Sequence, residues 1–219
     1  MTTAEMIYAF NIGYDIANLE GPGYEDEEII RFLNQAQTIE VMKEVALRRW
    51  TYISNLISNE ILSTTAIAWG SYDHIKRVTP TEDYIGYVSS RSKVIRDTFK
   101  PTTGSEWMPN LFIRKEQSFR YVSSTLNHVI LISPRVFEDE DKTLTVIYDR
   151  HTTFSGTDDF SLDYVHRPSD IASGVDSEVN EILHERIVNT AVDIGKKVWN
   201  GQEAAVSQQA DQLMDKPEM

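Results

Sequence analysis

The chain has 219 residues, no cysteine and a formal net charge of −13, with 41% hydrophobic and 25% charged residues. The missing cysteines exclude disulfides, thiolate catalysis and cysteine-ligated zinc or iron–sulfur centres. The acidity removes the counterion-release term of sequence-specific DNA binding, and no apolar run approaches the length of a membrane span.

Met1 to Glu5 lacks the basic start and apolar run of a secretory signal, so none is expected at this end. Residues 2–19 read as a first helix. Thr2 with Glu5 three places on is a capping-box pattern, and Met6, Phe10, Gly13 and Ala17 line one face. Gly21-Pro22-Gly23 makes a turn, and then the longest periodic run begins. From Tyr24 to Leu62 apolar residues recur at steps of three and four: Ile29, Leu33, Ala36, Ile39, Met42, Ala46, Trp50, Ile53, Ile57 and Ile61. Glu25, Asp26, Glu27 and Glu28 crowd its first turn, where negative charge favours the helix dipole. Neither proline nor glycine interrupts the run, so a helix over 25–62 is expected. Unbroken it spans roughly 55 Å at about 1.5 Å per residue, so it either breaks near Ala46 or reaches beyond its own core.

Ser63 to Pro80 reads as an irregular link in which Trp69 is a candidate interface anchor. Residues 81–168 change character. Tyr84–Val88, Lys93–Phe99, Asn110–Lys115, His128–Ser133, Arg135–Phe137, Thr143–Tyr148 and Phe160–Val165 have the β-branched, aromatic or alternating pattern of strands. Glu116 to Ser124 reads as a short helix, Glu138–Asp141 as a hairpin tip, and Asp158-Asp159 as a second solvated turn. After Pro168 the chain turns helical again. Asp176 or Ser177 is the expected cap, Val179, Ile182, Leu183, Ile187, Ala191, Ile194 and Val198 the stripe, and Asn200-Gly201 the stop. Residues 202–219 read as a frayed polar tail.

These elements predict an α+β fold. A long-helix bundle is formed by the N-terminal helical part (1–80, helices about 2–19 and 25–62) and a C-terminal helix (169–201) packing on it. An antiparallel β-rich insertion (81–168) lies between them.

Catalytic signatures are absent from the sequence: it has no H-E-x-x-H, no Walker A, no G-x-G-x-x-G and no G-x-S-x-G. Gly21-Pro22-Gly23 precedes a helix, but Pro22 has no N–H and four carboxylates follow, so an anion is not expected there. The histidines are His74, His128, His151, His166 and His184. Asp149, His151 and His166 are the one set that neighbouring strands bring near each other, and a hydrolase built on them is the remote alternative. His184 is expected to make a structural hydrogen bond. No catalytic residue, metal ligand or cofactor is assigned.

Two stretches carry a resemblance. One is Asp26-Glu27-Glu28-Ile29-Ile30-Arg31-Phe32-Leu33-Asn34-Gln35-Ala36-Gln37. The other runs from Tyr164-Val165-His166-Arg167-Pro168-Ser169-Asp170-Ile171 through Leu183-His184-Glu185-Arg186-Ile187-Val188-Asn189-Thr190-Ala191-Val192. Together they resemble the head-to-tail connector proteins of tailed bacteriophages, most of all the neck ring proteins of crAss-like phages. The resemblance implies a non-enzymatic virion protein, made in the host cytoplasm, with many copies forming a ring in the neck. Its implied partners are further copies of itself, the portal protein, other neck or tail ring proteins, and genomic DNA passing without specific binding. No membrane is implied, and a tail-tube or adaptor component is the alternative within the same particle. The residues expected at the subunit interface are Leu33, Asn34, Gln37, Trp50, Ile57 and Trp69, with Asn34 and Gln37 bonding across it. A charge on the exposed stripe of the long helix, such as Ile57→Asp, is then expected to block ring assembly.

Overall fold

The computed structural model describes residues 1–17, 23–67, 75–96, 106–118, 133–148, 152–154 and 158–214. The chain is α+β and divides into two compact units. Met1–Leu56 with Arg167–Met219 is helical, and Ile57–His166 is built of strands.

In the helical unit α1 (Thr3–Ala17) begins at the expected box. Thr2 N donates to Glu5 Oε2 at 2.7 Å, and Glu5 N donates to Thr2 Oγ1 at 3.3 Å. Asp176, expected to cap the last helix, serves this one instead: its Oδ1 accepts from Thr3 N at 2.7 Å. Helix α2 (Asp26–Ala46) ends where the apolar stripe allowed a break. Arg49 N donates to the Glu44 carbonyl at 2.9 Å and Arg48 N to that of Val45 at 3.0 Å. This is a Schellman ending, and Arg48 holds its left-handed position at φ 54°. That position is normally glycine, so the stop left no glycine in the sequence. A 3-10 segment, Trp50–Leu56, follows, and the apolar residues beyond it belong to a strand, which corrects the expected helix over 25–62.

The last helix, α3 (His184–Met214), is preceded by a 3-10 turn at Glu181–Leu183 that Asn180 caps. It runs through Asn200-Gly201, where a stop was expected, and carries the presumed tail to Met214. One exposed glycine costs a helix only about 1 kcal/mol, and the residues around it are good helix formers. Both α1 and α2 pack against α3. Phe10, Tyr14, Tyr24 and Phe32 stack or meet edge-on at the heart of this unit. Gly195 lets them in: a Cβ there would stand 3.2 Å from Phe10 Cζ and 3.3 Å from Tyr24 Cε2.

The second unit holds two five-stranded sheets. One runs β1 (Ile57–Leu62), β10 (Phe160–His166), β4 (Tyr84–Arg96), β5 (Glu106–Pro109), all antiparallel, with β9 (Thr152–Phe154) also on β4. The other runs β2 (Thr65–Ala66), β3 (Ile75–Val78), β8 (Leu144–Ile147), β7 (Arg135–Glu138), β6 (Leu111–Phe112), and its last pair is parallel. Tyr84, Val94, Phe160, Leu162 and Tyr164 of the first sheet pack with Val78, Val136, Leu144 and Val146 of the second. Every residue of β8 is buried, because Ile75, Ile113, Phe137 and Ile147 form a second cluster on the sheet's other face.

The β region therefore begins at Ile57 rather than Thr81, and the expected link holds β2 and β3. Tyr84–Val88 and Lys93–Phe99 merge into the single strand β4 as far as Arg96. The hairpin tip at Glu138–Asp141 stands as expected, joining β7 to β8 with Lys142 at φ 62°. The second acidic turn does not: Asp159 is 1% exposed. Its carboxylate accepts from Thr64 N at 2.9 Å, Thr64 Oγ1 at 2.7 Å and Lys76 Nζ at 3.2 Å, so the charge is buried but paired. His128–Ser133 lies largely outside the described residues, and of Glu116 to Ser124 only 116–118 are described, within a helical turn at 115–118.

Candidate functional site

Of the residues singled out from the sequence, Leu33 is fully buried. Asn34 and Gln37 bond within the chain and not outward, and this corrects their expected role. Asn34 Nδ2 donates to the Ile171 carbonyl at 3.0 Å, and Ile171 N donates back to Asn34 Oδ1 at 2.7 Å. Gln37 Nε2 donates to the Ser169 carbonyl at 2.9 Å, and Ser177 Oγ donates to Gln37 Oε1 at 2.5 Å. An amide side chain offers a donor and an acceptor side by side, which matches a backbone C=O and N–H of a passing segment. The Leu-Asn-x-Ala-Gln stretch of α2 thus clamps the 169–177 segment, about 130 residues later. Trp50 is half-buried at the start of its 3-10 segment, and Ile57 is half-buried in β1, opposite Val165. Neither lies on a helical stripe. Trp69, Asp149, His151, His74 and His128 lie outside the described residues, and His166 ends β10.

A buried ionic cluster joins α2 to α3. Arg186 Nη1 donates to Glu44 Oε1 and Nη2 to Glu40 Oε2, each at 2.6 Å. Glu40 Oε1 also accepts from Lys43 Nζ at 2.6 Å and Thr190 Oγ1 at 2.8 Å. Glu40 is 2% exposed and Glu44 0%. Burial opposes ionisation of Glu40, but the bonds from Lys43 and Thr190 and the charges of Arg186 and Lys43 outweigh it, and its carboxyl is held below the usual range. Arg186 is raised in turn, first by its bond to Glu44. Nothing in the sequence sets Glu40 and Glu44 apart from surface acids; Arg186, a cation that interrupts the apolar stripe of α3, was the available signal.

An open cleft of about 670 Å³ beside the start of α1 is lined by Glu5, Asp176, Glu178, Glu181 and His184 among others. Its groups are already occupied. Asp176 and Glu5 hold the start of α1, and Glu178 Oε2 accepts from Ser169 N and Oγ. His184 makes the expected structural bond, since Nε2 donates to the Val179 carbonyl at 2.8 Å, which leaves Nδ1 to accept from Met1 N at 3.0 Å. Among the described residues no group of three or more His, Asp or Glu is placed to hold a metal ion, and no helix is long and apolar enough to cross a membrane.

Charge is unevenly divided. The helical unit holds 19 of the 34 acidic residues but only 9 of the 21 basic ones. Its α1 and α2 also expose large apolar side chains: Tyr8 at 69%, Ile12 at 43%, Ile39 at 40% and Met42 at 45%.

No protein-family model matches the chain, and no curated protein matches it.

Proposed function

We propose that this chain is a non-enzymatic structural subunit of a tailed-phage virion, one copy in a ring of the neck that joins the portal and head to the tail around the DNA channel. The observation that supports this most is the clamp of α2 on the 169–177 segment. The two stretches that resemble the connector proteins are far apart in sequence, yet Asn34 and Gln37 tie them into one structural piece. The acidic surplus of the helical unit fits a wall that DNA passes without adhering, because a basic wall would hold the phosphates. The partners in this reading are further copies of the chain, the portal protein and neighbouring neck or tail rings, with DNA as a passing polymer.

The test is immunogold labelling of intact virions with antibodies against the helical unit. Gold confined to the head–tail junction is the expected result. Gold along or at the end of the tail transfers the chain to a tail-tube or adaptor role, and unlabelled virions refute both.

A further inference from the structure

We infer that β1 takes one further strand on its open side, an extended segment of a partner protein that places a lysine or arginine against Glu60. The surface belongs to the unit built of strands and is independent of the neck reading.

Strand β1 ends its sheet: it pairs with β10, and among the described residues no strand lies on its other side. In an antiparallel ladder every second residue turns both its N–H and its C=O away from a given neighbour, so β1 presents an unpaired row to that side. Edges of this kind are usually blunted by shortness, proline, lysine or a bulge. The other sheet ends carry such devices. β5 spans four residues and contains Pro109, and β2 and β6 span two each. β1 spans six residues, Ile57–Leu62, without proline or lysine, and its register against β10 runs from Ile57↔Val165 to Leu62↔Phe160 without a shift. It has the length and regularity to receive a strand through main-chain hydrogen bonds.

The side chains of β1 select that strand. Glu60 stands directly opposite Leu162 and Leu62 opposite Phe160, and both partners are fully buried, so Glu60 lies in the row that faces the other sheet. Its Oε2 is enclosed and has no hydrogen-bond partner among the described residues. An enclosed carboxylate oxygen is costly until a donor reaches it. A residue directly opposite on an added strand brings its Cβ within about 4.5–5.5 Å, so a lysine or arginine there supplies the donor. Glu60 is the only charged residue of β1. In the outward row Asn59 is bonded to Asp163, whose other oxygen accepts from Ser89, and Ile61 is 56% exposed. A wholly apolar strand leaves Glu60 unpaired, and a second β1 brings another glutamate, so neither is the favoured occupant.

The probe is a macrocyclic hairpin peptide whose outer strand reads Val-Thr-Lys-Thr-Val, with one version carrying glutamate in place of the lysine and another carrying N-methyl groups along that strand's free edge. Each is added to the full chain and amide exchange is followed along the sequence. The lysine form is expected to slow exchange across residues 57–62, the glutamate form to bind about tenfold more weakly, and the N-methylated form to give no protection. In E60Q, which keeps the shape of the side chain, the lysine and glutamate forms should bind within about twofold of each other. Unchanged exchange in β1 with the lysine form overturns the inference. So does equal protection by the lysine and glutamate forms in the parent chain, a lysine preference that survives in E60Q, or full protection by the N-methylated form.

Discussion

Replacing Arg186 by methionine removes the one guanidinium that spans two buried carboxylates. Glu44 is 0% exposed and its Oε2 has no partner among the described residues, so the variant leaves this carboxylate buried with its bond to Arg186 gone. Glu40 keeps Lys43 and Thr190. Removing one partner of a fully buried ion pair costs about 3–5 kcal/mol. The Arg186 side chain is 40% exposed, so water already screens part of the attraction, and a loss of about 2–4 kcal/mol is expected. The double variant R186M/E44M, which removes both charges and keeps apolar volume, recovers most of that loss. Urea unfolding followed by far-UV ellipticity measures both variants, and amide exchange on α2 and α3 peptides assigns the change to the helical unit. A loss below about 1 kcal/mol in R186M, or a double variant no better than the single, refutes the account of the cluster as a paired unit.

Four further outcomes follow from the same geometry. Because Glu40 has a lowered pKa in the fold, its contribution is present above the ordinary carboxyl value of 4.5 and disappears as pH falls through the lowered value; acid titration of α2–α3 exchange protection should show that loss, and R186M should shift it to higher pH. Asn34→Ala removes both bonds to Ile171 and should cost about 1–3 kcal/mol in urea unfolding, with exchange rising first at residues 169–177. Gly195→Leu drives a side chain into Phe10 and Tyr24 and should cost about 1–3 kcal/mol by the same assay, with the Tyr24 phenol, which burial and the bond with Tyr14 push up to about 12, titrating lower as the cluster opens. Arg48→Val places a β-branched residue at φ 54° and should cost about 1–2 kcal/mol, whereas Arg48→Gly, which suits that φ, should be more stable than Arg48→Val.

The α+β class and most element positions were legible because they rest on periodicity, which local sequence carries. The first helix, its Thr2–Glu5 box and strands β7, β8 and β10 fall where the pattern put them. The long helix was misread because Ile53, Ile57 and Ile61 continue the helical spacing by coincidence. The true stop uses Arg48 in a left-handed conformation, so no glycine announced it. At the other end Gly201 announced a stop that does not occur, since helix propensity around it prevails. Burial of Glu40, Glu44 and Asp159 was invisible for a different reason: each is paid for by a partner distant in sequence, Arg186 or Lys76. Of the expected interface residues, Leu33, Asn34 and Gln37 turn inward. Leu33, Asn34 and Gln37 form a recurring pattern on a helix, but the clamp on 169–177 explains it without a neighbour. Ile39 and Met42 continue the apolar stripe in the sequence, yet they are exposed, and the burial of Gln37, Glu40, Val41 and Glu44 shows which way the helix faces.

The measurement closest to the central claim is a cryo-electron microscopy reconstruction of the neck of intact virions containing this chain. The account predicts a closed ring between head vertex and tail whose density accepts the helical unit once per subunit. A neck ring that the unit does not fit, or density for the chain elsewhere in the particle, contradicts it.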